Sequence, residues 1–67
     1  MDKFFVAITV QSRTMGSVGN TISTDARTTE DADPVNRFWT AFNDTCAKYG
    51  HPSGATAVMM YHEVKMP

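Results

Sequence analysis

From Lys3 to Gln11 the chain alternates with a period of two. Phe4, Val6, Ile8 and Val10 fall on one side, and Phe5, Ala7, Thr9 and Gln11 on the other. A pleated strand divides its side chains between two faces in this way. Both sets begin apolar, which suits a central strand covered at least partly on both sides. A second alternation runs from Asn20 to Arg27, with Ile22, Thr24 and Ala26 on one side and Thr21, Ser23, Asp25 and Arg27 on the other. Its polarity is that of an edge strand. Between the two, Ser12 to Gly19 contains Gly16, Ser17 and Gly19, residue types that reach tight-turn conformations at low steric cost. Strand, glycine-containing loop and strand together predict a β-hairpin.

The period then changes to that of a helix. Val35, Phe38, Trp39, Phe42, Cys46 and Tyr49 form one apolar stripe, while Asn36, Arg37, Asn43, Asp44 and Lys48 fall away from it. Asp33 before Pro34 supplies an N-cap and a first helical residue. Gly50 suits the left-handed position after the last turn, and Pro52 prevents continuation. Glu30, Asp31 and Asp33 meet the positive end of the helix dipole, an interaction of roughly 0.3–1 kcal/mol per surface charge. Lys48 follows Asp44 by four residues, the spacing of a favourable ion pair along a helix. After a turn at Pro52 to Gly54, Ala55 to Met66 alternates again. Val58, Met60, His62 and Val64 share one face; Ala57, Met59, Tyr61, Glu63 and Lys65 share the other.

The element order is β-β-α-β, without repeats or linkers. The expected fold is a single α+β domain over residues 1–67: a three-stranded antiparallel sheet in the order 2-1-3, with one helix packed on one face. In this arrangement the helix covers Phe4, Val6, Ile8 and Val10. Phe38, Trp39 and Phe42 dominate the core, at about 1.5–3 kcal/mol per buried side chain.

A chain of 67 residues makes one small domain. It buries only about 60% of the surface its unfolded form exposes, so its stability is on the order of a few kcal/mol. Cys46 is the single cysteine, which excludes an internal disulfide and fits a reducing, cytoplasmic setting. Homodimerisation is the remaining source of support. Six basic and seven acidic residues give a net charge of −1, without the basic excess of a typical nucleic-acid binder. No apolar run approaches the ~20 residues of a membrane span. The opening segment, MDKFFVAITVQSR, reads as a strand rather than a signal peptide. Its apolar run is broken by Thr9, and no small-residue cleavage site follows.

Cys46, His51 and His62 match no zinc spacing. Cys46 lies on the apolar stripe, where a packed thiol is the ordinary outcome and an activated nucleophile is out of place. Glu30, Asp31 and Asp33 lack the ligand number and the glycine of a calcium loop. The segment TMGSVGN contains neither phosphate-loop pattern and precedes no helix. The glycosylation triplet at Asn43, Asp44 and Thr45 falls in mid-helix and reads as a chance match. No catalytic residue, metal or cofactor is therefore expected. An enzyme of this size would need a pocket between subunits, with His51, His62 and Glu63 as its first candidates.

The second face of the sheet carries the functional expectation. Phe5, Ala7, Met59 and Tyr61 are expected to form an apolar patch there, bordered by Thr9, Glu63 and Lys65. Exposed apolar patches mark interaction sites, and aromatics and Met are enriched in interface centres. The expected function is a non-enzymatic protein–protein interaction module, self-associating as a homodimer. It would act as a small regulator or inhibitor of a macromolecular partner; the short chain starting at Met suggests a phage or other mobile element. Its expected partner-binding residues are Phe5, Ala7, Met59, Tyr61 and Glu63. The alternative is a weak single-stranded nucleic-acid binder that stacks bases on Phe5 and Tyr61 near Lys3, Arg13 or Lys65.

Overall fold

Strand β1, Phe4–Arg13, lies in the middle of a three-stranded sheet. Strand β2, Asn20–Thr29, and strand β3, Thr56–Lys65, pair with it antiparallel on either side. The computed structural model describes residues 1–13 and 20–67. Helix α1, Pro34–Tyr49, crosses one face, and a short 3-10 turn, Ser53–Ala55, leads into β3. The order β2-β1-β3 and the single helix are those the alternation predicts. The glycine turn expected at Gly16, Ser17 and Gly19, and with it the segment TMGSVGN apart from Asn20, lies outside the described residues.

The core is small. Val6, Ile8 and Val10 of β1 are buried against Ala41, Phe42 and Cys46 of α1, with Phe4, Phe38 and Tyr61 packed around them. Each fully buried aliphatic side chain contributes about 1.5–3 kcal/mol. The helix meets the sheet along Arg37, Ala41, Thr45 and Cys46, a row turned from the expected stripe. Trp39 and Val35 are left 51% and 64% exposed. The small side chains of Ala41 and Thr45 allow the helix to lie close on β1. The indole of Trp39 instead stands at the rim, edge-on to Phe38 and Phe42 at 5.3 and 5.8 Å. Arg37, expected on the outer side, is drawn inward and buried.

Both helix ends are closed as the sequence implies. The Asp33 side chain accepts from the backbone N–H groups of Val35 and Asn36, at 3.0 and 3.4 Å. Gly50 adopts φ 73°, in the left-handed region, and the N–H of His51 donates to the carbonyl of Cys46 at 2.9 Å. This is the Schellman closure, which terminates the helix and aims the next residue back toward the sheet.

Helix and sheet are also tied by charge. Asp25 and Arg27 of β2 stand on the helix side, opposite Ile8 and Val6. Arg27 pairs with Asp44, and Lys48 pairs with Asp25 at 3.3 Å. The expected Asp44–Lys48 pair along the helix is thus replaced by two pairs across the helix–strand interface. Strand β3 carries one irregularity. Thr9 faces Met60 and Val10 faces Val58, so Met59 is the extra residue of a β-bulge.

Candidate functional site: the uncovered sheet face

Cross-strand partners in an antiparallel sheet share a face, so the register defines the side that α1 leaves open. Its rows are Thr28, Phe5 and Val64; Ala26, Ala7 and His62; Thr24, Thr9 and Met60; and Ile22, Gln11 and Ala57. Phe5 is 40% exposed, Ile22 58%, and Met60 and Val64 45% each. The hydroxyls of Thr9 and Thr24 bond each other at 2.9 Å. No acid, lysine or arginine stands in these four rows. The charged residues of β2 and β3, namely Asp25, Arg27, Glu63 and Lys65, lie on the helix side. Arg13 continues this face beyond the four rows, at the hairpin end of β1.

Phe5 and Ala7 are therefore on the uncovered face, as expected, and Met59, Tyr61 and Glu63 do not join them. Tyr61 faces Ile8 and Glu63 faces Val6, both on the helix side. The Tyr61 ring packs edge-on against Phe38 at 5.1 Å. Met59 stands in the bulge, outside the regular pairing. Met60, His62, Val64 and Ile22 take the expected places of Met59 and Tyr61. Both faces of β3 are apolar enough to be covered, so its hydropathy does not choose between them. The choice is made by a polar cluster under the helix.

In that cluster Arg37 donates to Glu63 at 2.6 Å and to the carbonyl of Asp31 at 2.7 Å. Its guanidinium lies 3.7 Å from the ring centre of Phe4, a cation–π stack. The Tyr61 hydroxyl donates to the other carboxylate oxygen of Glu63 at 2.8 Å. Arg37 holds the Glu63 carboxyl below its ordinary range; partial burial opposes this and Tyr61 adds to it. Burial, helped by Glu63, pushes the Tyr61 phenol up to about 12. Buried ionic groups persist where they are paired and hydrogen-bonded, and this network fixes the face that β3 turns to the helix.

The histidines and the cysteine divide between fold and surface. Cys46 is buried in the core. His51 is buried, with one ring nitrogen against the Ser12 hydroxyl and the other 2.8 Å from that of Ser23. Both nitrogens are engaged, so the imidazole fastens the end of α1 to β1 and β2. His62 lies exposed on the open face. Among the described residues no group of three or more His, Cys, Asp or Glu is placed to hold a metal ion. Glu30 is exposed at the helix approach, and Asp31 accepts from the backbone N–H of Asp33 at 3.0 Å, in keeping with a role in starting the helix. Among the described residues, no helix is long and apolar enough to cross a membrane.

No family model matches this chain, and neither a curated protein nor a solved structure shows detectable similarity to it.

Proposed function

We propose that the protein is a non-enzymatic protein–protein interaction module whose contact surface is the uncovered face of the sheet. The supporting observation is the segregation of charge. An antiparallel sheet covered on one side ordinarily turns apolar residues inward and polar ones to water. Here the charges of β2 and β3 face the helix, and Phe5, Ile22, Met60 and Val64 face outward. Apolar side chains including Phe5 and Met60, set among threonines without acid, lysine or arginine, have the composition of an interface centre. Such a module acts as a regulator or inhibitor by occupying a surface of its partner, and requires no reacting group of its own. With Tyr61 turned under the helix, Phe5 and the His62 imidazole are the rings left in the four rows, and no lysine or arginine stands beside them, which favours a protein over a stacked nucleic acid. The buried thiol of Cys46 suits a reducing compartment, and the cytoplasm is the proposed location.

Capture from cells of the native host with wild-type, Met60→Asp and Val35→Lys proteins as baits tests this reading. A partner retained by wild type and Val35→Lys but lost by Met60→Asp is the expected result. A partner held equally by all three baits overturns it.

A further inference from the structure

We infer that the occupant of the uncovered face is a second copy of this chain, packed sheet against sheet about a two-fold axis. The inference rests on the reading of this face as a contact surface and names its partner. In a two-fold interface a patch meets itself, so residues near the axis lie against their own kind. A charged patch would set like against like, whereas the four rows hold no acid, lysine or arginine. Surfaces that select a foreign partner ordinarily use charge to steer and orient it, and this face offers none between Phe5 and Gln11.

Shape and size point the same way. On β1 and β2 the middle rows are Ala7, Ala26, Thr9 and Thr24, small enough for these strands of two sheets to approach to about 10 Å. Bulk sits along β3, with His62 and Met60 in the middle rows, and toward the ends, with Phe5 and Val64 at one and Ile22 at the other. When the strands of the two copies run in opposite directions, the Phe5 row lies over the Gln11 row, so that Phe5 meets Gln11 and Val64 meets Ala57. In this arrangement the faces overlap from Phe5 to Gln11 across three strands, a footprint of roughly 23 by 15 Å. Two such faces cover about 700 Å², the size of a weak, concentration-dependent association. The need is also present: the buried apolar core consists of Val6, Ile8, Val10, Ala41, Phe42 and Cys46 alone among the described residues. Covering the opposite face adds a second apolar layer to a domain that is short of one.

Sedimentation equilibrium of wild type, Ala26→Arg, Met60→Asp and Val35→Lys, with helix content followed by circular dichroism, tests the inference. The expected result is twice the 7.4 kDa chain mass for wild type and Val35→Lys, and the single chain mass for the two face variants with helix retained. Wild type sedimenting as one chain up to millimolar concentration overturns the second copy. It leaves the contact-surface reading to the capture experiment, which reads a different partner. A dimer that survives Ala26→Arg and Met60→Asp but is broken by Val35→Lys places the contact on the helix and overturns both. Ala26 is an exposed residue of an edge strand, outside the core, and decides the matter if Met60→Asp fails to fold.

Discussion

Glu63 accepts from Arg37 on one oxygen and from Tyr61 on the other, and each bond has a consequence in pH. The Glu63 carboxyl is depressed in the fold, chiefly by Arg37. Its contribution is therefore present above the unfolded value of about 4.3 and is lost as pH falls through the lower folded one. The urea midpoint of wild type is expected to fall steeply in that acid window. Glu63→Gln lowers the midpoint at neutral pH and flattens the acid decline; an unchanged slope contradicts the pairing. The Tyr61 phenol is raised to about 12, first by burial and then by Glu63. Its contribution is present below the unfolded value of about 10 and is lost as pH rises from there through the folded one. A late tyrosinate absorbance step near pH 12, absent in Tyr61→Phe, is the expected signature. At the other end of the helix, Ser12→Ala leaves a ring nitrogen of buried His51 without its hydroxyl partner. The expected cost is about 1–3 kcal/mol in chemical denaturation. At this scale the sequence was least legible. Arg37 and Glu63 look like solvated positions until each supplies the other's partner, and that pairing spans 26 residues.

The helix is the element most fully legible in the sequence, because its signals are local. Asp33, Pro34 and Gly50 mark its ends through backbone geometry that does not depend on the rest of the fold. Asp33→Ala is expected to cost about 0.5–2 kcal/mol through the lost cap. Gly50→Ala is expected to cost about 1–2 kcal/mol through a left-handed φ that a Cβ disfavours. Both are measurable as shifts in the thermal midpoint. The rotation of the helix was not legible. Its apolar stripe is broad, and what turned it was the fit of Ala41 and Thr45 on β1 together with the inward pull on Arg37. Strand β3 shows the same limit. Its alternation is plain, its existence and its place beside β1 follow from it, yet both of its faces are apolar. One inward carboxylate and one bulge at Met59 decided which side chains reached the open face.

As a whole the molecule is an elongated body of 45 × 16 × 15 Å with a thin core on one side of a long sheet. Its stability by size is about 3–10 kcal/mol, and Phe42→Ala, removing the largest buried apolar side chain, is expected to cost about 3–5 kcal/mol. Loss of the cooperative thermal transition in that variant is the predicted outcome. The topology follows from element order and the apolarity of β1, and an apolar face opposite the helix follows from the double apolar pattern of that strand. The membership of that face depended on the register, which no local signal carried. In the proposed function the side of the sheet without acid, lysine or arginine is the contact surface. A dilution series followed by nuclear magnetic resonance tests that claim most directly. Concentration-dependent shifts gathered on Phe5, Ala7, Ile22, Met60 and Val64, with Val35 and Trp39 unmoved, are the result predicted. Shifts gathered on Val35 and Trp39 of the helix, with the sheet face unmoved, would contradict it.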